Sequence, residues 1–159
     1  MKPVANQPVL GNLAARLGHS RGVLVDSNVL LDIATKDPTW AAWSSRALAE
    51  CAEYATLVIN PIVYAEVSIG FQSIEALDAA LPSRLYERAP LPWEGGFLAG
   101  KCFLAYRRQG GRRTAPLPDF YIGAHAAIEG LALLTRDAAR YRTYFPKLEV
   151  LAPNVTQVE

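Results

Sequence analysis

The chain has 159 residues, 51% of them hydrophobic, carries a net charge of +1, and contains no apolar run near the roughly 20 residues needed to span a bilayer. That suits one domain with a single core, argues against a membrane span, and leaves no global field to draw in nucleic acid; attraction to phosphate must come from local clusters. Cys51 and Cys102 match neither a disulfide framework nor a CxxC metal pattern, and read as buried, reduced thiols of a cytoplasmic protein.

Residues 1–20 lack the long apolar stretch of a signal peptide. Pro3, Pro8 and Gly11 oppose early regular structure, residues 12–17 allow one or two helical turns, and the segment is expected on the surface or mobile. Val23, Leu24 and Val25 then read as a buried strand of a parallel sheet. Asp26 follows at the strand's carboxyl end, where open α/β sheets place ligands, and Ser27 or Asn28 is expected to cap the next helix. Asp37-Pro38 stops that helix.

Residues 40–54 follow a helical period, with Trp40, Trp43, Ala47, Leu48 and Cys51 as the apolar stripe. A second short strand at 56–59 leads to Asn60-Pro61, a helix start with Asn as cap and Pro in the first turn. That helix holds Glu66 as its only charged residue among Ile62, Val63, Val67 and Ile69, and so looks mostly buried. Residues 73–81 form another amphipathic helix, and 84–89 a short extended piece. Residues 94–108 read as a helix with Phe97, Leu98, Cys102 and Ala105 inside. Residues 109–118 are a loop set by Gly110-Gly111 and two prolines; it carries Arg112 and Arg113 just after Arg107 and Arg108. A helix at 119–130 has Asp119 in its first turn. The strand at 132–134 runs into Thr135-Arg136-Asp137 and a short helix, and a last strand covers 148–151.

Strands alternating with helices give a parallel sheet covered on both faces. That topology brings strand ends and helix starts to one edge, so Asp26, Glu66, Asp119 and Asp137 can meet there. Clustered carboxylates repel, and a hard divalent cation with oxygen ligands, Mg²⁺ or Mn²⁺, relieves that repulsion; no His or Cys is placed for zinc. Each acid also has a plainer reading. Asp119 and Asp137 suit helix starts, where the dipole favours acids, and Asp26 suits a cap or hydrogen-bond network. Glu66 is less easily dismissed as a plain surface acid, because a buried Glu is rare without a partner. Asp32 reads either as an orienter of the site or as a solvated acid, while Glu50, Glu53, Glu75, Asp78 and Glu129 fall on polar helix faces. His125 reads as a packed histidine, and the loop residue His19 has no assigned role.

Val25-Asp26-Ser27-Asn28-Val29-Leu30-Leu31-Asp32, Tyr64-Ala65-Glu66, Pro118-Asp119-Phe120-Tyr121-Ile122-Gly123-Ala124-His125-Ala126, and Leu133-Leu134-Thr135-Arg136-Asp137 through Tyr141 together resemble PIN-domain ribonucleases, specifically VapC-type toxins of toxin–antitoxin pairs. The resemblance implies a three-layer α/β fold over 23–152, with 1–22 as an N-terminal extension and 153–159 as a C-terminal tail. It implies Asp26, Glu66, Asp119 and Asp137 as catalytic metal-binding acids, supported by Asn28 and Thr135, with Mg²⁺ or Mn²⁺ as cofactor. It further implies hydrolysis of RNA to 5′-phosphate and 3′-hydroxyl ends, a cognate antitoxin that places an Arg near the acids, and a homodimer. Arg107, Arg108, Arg112 and Arg113 then read either as a guide for the RNA backbone or as a solvated loop. Trp40, Trp43 and tyrosines of the early helices offer a groove for an antitoxin helix, unless they are core. Two other classes compete: a phosphatase or phosphotransfer domain with Asp26 as nucleophile, and a catalytically silent PIN-like binding module. Asn28 stands where the common phosphatase pattern wants a second Asp, which weighs against the first.

Overall fold

The computed structural model describes residues 7–154. The three strands anticipated in the interior form as β1 (Val23–Val25), β2 (Leu57–Ile59) and β4 (Ala132–Leu134), each buried along its whole length. The extended piece becomes an edge strand, β3 (Tyr86–Arg88), and the last strand shortens to β5 (Val150–Leu151). All pairings are parallel, in the order β3-β2-β1-β4-β5. In β3 only Tyr86 is buried; Glu87 and Arg88 are exposed and keep that edge charged against further pairing.

The helices are α1 (Leu13–Arg16), α2 (Ser27–Ala34), α3 (Ala41–Tyr54), α4 (Pro61–Ser68), α5 (Ile74–Ala80), α6 (Trp93–Arg108), α7 (Pro118–Glu129) and α8 (Ala139–Tyr144). From β1 the chain steps outward to β2 and β3, then returns past β1 to β4 and β5. The direction reverses between β1 and β4, which makes that pair the topological switch point, the position at which open α/β sheets place their ligands. Register is decisive there. Val25 pairs with Leu134, so Asp26 and Thr135 leave the sheet side by side.

Three local expectations change. The cap of α2 is Asp26 itself, not Ser27 or Asn28; its carboxylate accepts from the Ser27 backbone N–H. Phe97 is outside, 71% exposed, because the inward face of α6 is Gly95, Ala99 and Cys102. Trp93 and Leu104 lie on the same outer face of α6 as Phe97, so that face puts apolar side chains in solvent, with the Lys101 ammonium over the Phe97 ring. The α4 helix is only one-sided: Val63 and Val67 are buried, whereas Ile69 just past its end is 87% exposed.

The described part of the N-terminal stretch is packed down. Leu10, Leu13 and Leu17 join the core, and the Glu50 carboxylate accepts from the Val9 and Leu10 N–H groups at 2.8 and 2.9 Å. Arg16 pairs with Glu149 and donates to the Val150 carbonyl. Glu50 is therefore an anchor rather than a face-filling acid. Asp78 likewise accepts from Tyr64 and Arg88.

Candidate active site

Asp26 is carried out of the sheet by β1 and is 4% exposed. Its Oδ1 accepts from the Ser27 N–H at 2.8 Å, and its Oδ2 from the Thr135 hydroxyl at 2.9 Å and the Tyr141 hydroxyl at 3.0 Å. All these donors are neutral. Burial pushes the Asp26 carboxyl up to about 6, with the Asp119 charge adding to the rise and the hydrogen bonds opposing it.

Glu66 reaches the same place from α4. The Ser27 hydroxyl donates to its Oε1 at 3.1 Å and lies 3.5 Å from Asp26 Oδ1. Glu66 is half-buried, and burial raises its pKa, with the charges of Asp26 and Asp119 adding to the effect. Asp119 enters from the first turn of α7, after Pro118 has opened the helix. Tyr141 lies 3.3 Å from its Oδ1, and Arg140 pairs with its Oδ2 at 3.1 Å. Three of the expected acids are therefore brought to one edge, bridged by the hydroxyls of Ser27 and Tyr141.

Asp137 is placed differently. Its side chain is exposed, and its hydrogen bonds to the cluster run through its backbone: its N–H donates to Thr135 Oγ1 at 3.1 Å. It does not cap α8, whose cap is Ala138. Thr135 is fully buried and central. It donates to Asp26 and accepts from Asn28 Nδ2 at 3.2 Å, while Asn28 Oδ1 accepts from the Arg136 N–H at 3.3 Å.

Asp32 is neither solvated nor in the cluster. It is 3% exposed and held by Arg136 Nε at 2.7 Å and the Ser44 hydroxyl at 2.9 Å. Arg136 in turn stacks over Trp40, which meets Trp43 edge to face. Both tryptophans are half-buried, whereas Tyr54 at the end of α3 and Trp93 and Phe97 on α6 are exposed aromatics. His125 is buried and accepts at Nδ1 from Asn60 Nδ2 at 3.0 Å; Asn60 also caps α4 by accepting from the Val63 N–H. Burial lowers the His125 pKa, which suits a neutral, packed ring. Arg107, Arg108, Arg112 and Arg113 are all exposed, and Arg107 ties the loop back by donating to the Gly111 and Arg113 carbonyls.

Sequence reasoning passed over Ser27, Arg140 and Tyr141 as working side chains. Their partners are too distant along the chain to leave a local pattern. Tyr141 carried one available signal: a hydroxylated aromatic in the short helix that follows a strand-end acid.

Among the described residues no three His, Cys, Asp or Glu side chains stand close enough together to hold one ion as they are placed. The donor chemistry nevertheless fits a hard divalent cation. The donors are carboxylate oxygens, and Asp26 is buried with a raised pKa and no cationic partner among the described residues.

The family model of the PIN domain matches residues 23–146. No curated protein matches the chain. Among solved structures, VapBC2 from Rickettsia felis bound to a DNA fragment from its promoter is similar at 20% identity and TM-score 0.63, covering 82% of this chain and 97% of that one. VapBC-1 from nontypeable Haemophilus influenzae is similar at 20% identity and TM-score 0.61, covering 80% and 95%. DNA-bound VapBC from Salmonella typhimurium is similar at 17% identity and TM-score 0.59, covering 82% and 97%. At these identities the likeness concerns the fold.

Proposed function

The chain belongs to the PIN-domain family, and we propose that it is a metal-dependent endoribonuclease, the toxin of a toxin–antitoxin pair. The observation that carries this reading is the meeting of Asp26, Glu66 and Asp119 at the switch point of the sheet, joined by Ser27 and Tyr141. We assign Asp26, Glu66, Asp119 and Asp137 as the acids that hold Mg²⁺ or Mn²⁺. Asn28 and Thr135 are their support, and residues 23–152 the catalytic domain.

A divalent cation held by these acids would supply positive charge for an approaching phosphodiester and would lower the pKa of a bound water. The protein's own groups prepare the place. Thr135 and Tyr141 hold one oxygen of Asp26 while the Ser27 N–H holds the other, so its carboxylate plane is locked. The Ser27 hydroxyl steers Glu66 toward the same point. Asn28 and the Asp137 N–H fix the Thr135 hydroxyl, which leaves its proton for Asp26. The exposed arginines at 107, 108, 112 and 113 offer salt-dependent contacts to the RNA backbone without sequence choice.

Similarity to the solved VapBC complexes supports a cognate antitoxin as partner; action in the cytoplasm and pairing with a second copy belong to the same proposal. Among the described residues no helix is long and apolar enough to cross a membrane. The outer face of α6, with Trp93 94% and Phe97 71% exposed, supports a protein partner.

The test is cleavage of a labelled RNA by purified protein with Mn²⁺, run beside Asp26→Asn and Asp119→Asn, with Mn²⁺ binding measured by calorimetry. Metal-dependent cleavage that both variants lose supports the reading. Full activity in either variant rejects the site. Trapping a phosphorylated Asp26 favours phosphotransfer, and no affinity for Mg²⁺ or Mn²⁺ favours the silent binding module.

A further inference from the structure

Asp119 has two partners that pull in different directions. Arg140, at the surface, holds Oδ2 at 3.1 Å. Tyr141, 1% exposed, meets Oδ1 at 3.3 Å and Asp26 Oδ2 at 3.0 Å. One hydroxyl, with a single proton that the two carboxylates share, thus stands between them, closer to Asp26 than to Asp119. It is held there by tight packing between α7 and the end of α8. A Cβ added at Gly123 would lie 2.3 Å from the Phe145 ring, so only glycine lets the two segments come this close.

We propose that Tyr141 is a positioning residue of the metal site: its hydroxyl turns the Asp119 carboxylate inward, against the pull of Arg140, and keeps it within reach of Asp26. This rests on the metal-nuclease reading. The chemistry follows from the partners. Without the hydroxyl, Asp119 keeps Arg140 as its hydrogen-bond partner and swings outward. Asp26 loses one of its neutral donors while Thr135 and Ser27 still hold it. Side chains that orient a metal's ligands from behind commonly change affinity by about 10- to 100-fold when removed.

The experiment compares wild type, Tyr141→Phe and Tyr144→Phe on the full chain. Tyr144→Phe removes a chemically equal hydroxyl that donates to Gln109 at 3.3 Å, away from the acids. Near-UV circular dichroism and melting report the fold, and Mn²⁺ affinity is read by calorimetry without RNA. The proposal expects Tyr141→Phe to keep the fold and to bind Mn²⁺ about tenfold more weakly. It expects Tyr144→Phe to bind as wild type does, and RNA cleavage by Tyr141→Phe to lose kcat with little change in KM. Equal Mn²⁺ affinity in wild type and Tyr141→Phe overturns the positioning role alone. A wild type that binds no Mn²⁺ overturns the metal reading and this proposal with it. Equal weakening in both variants also overturns the proposal, since the effect would then not belong to the Asp26–Asp119 bridge.

Discussion

Asp26 and Asp32 lie at the start and near the end of one helix, and they are almost equally buried at 4% and 3% exposed. Their surroundings differ in kind. Asp32 faces a guanidinium and a hydroxyl, so its charge is met on the spot. Asp26 faces hydroxyls and one backbone N–H, and its pKa is pushed up to about 6. A buried carboxylate with its own cation is part of the scaffold. One with neutral donors and a second acid nearby is, on the proposed reading, the kind that takes a cation from outside. The contrast separates structural acid from site acid within a single helix, which burial alone does not.

Removing each charge tests that contrast. The largest effect is expected on activity: Asp26→Asn should lower Mn²⁺-dependent RNA cleavage by about 1,000-fold or more, roughly 4 kcal/mol of transition-state stabilisation, in a gel-based assay. Retained cleavage would erase the distinction between the two acids. Asp32→Asn should act on stability instead. It leaves the half-buried Arg136 without its anion and should cost roughly 2–3 kcal/mol in urea unfolding. An unchanged midpoint would make the ion pair ornamental.

The pH dependence sharpens the comparison further. An acid whose folded pKa lies above its unfolded value of 3.8 favours the fold below that value, and the benefit is lost as pH rises through about 6. Metal-free wild type should therefore lose stability relative to Asp26→Asn between about pH 4 and pH 6, by at most roughly 3 kcal/mol. Saturating Mn²⁺ should reverse the gap at pH 7 by stabilising wild type alone. A pH-independent difference between the two proteins would mean that Asp26 is not strained by its charge. The smallest effect belongs to the exposed loop. Arg112→Gln with Arg113→Gln should weaken RNA binding only a few-fold and flatten its salt dependence by about one to two units of slope. An unchanged slope in a filter-binding series would assign these arginines to solvent.

Much of the fold was legible. Val23 to Val25, Leu57 to Ile59 and Ala132 to Leu134 announce interior strands because a strand buried on both faces has no polar position to interrupt it. Asn60-Pro61 announced a helix start because cap and first-turn chemistry are local. Phe97 misled for a related reason. Its spacing suits a helix, but periodicity does not say which stripe faces in when small residues such as Gly95 and Ala99 do the packing. Edge strand β3 was faint because the charged residues that guard an edge also blur a strand's signature.

The strands' apolar runs and the starts of the helices were written in neighbouring residues, since propensity, capping and alternation act over a few positions. What only the tertiary structure decided is how those residues meet. Thr135 and Tyr141 reach Asp26 across 109 and 115 positions, and Ser27 reaches Glu66 across 39. Such contacts depend on strand register and crossover path, which belong to the whole chain at once, so no short stretch of sequence carries their trace.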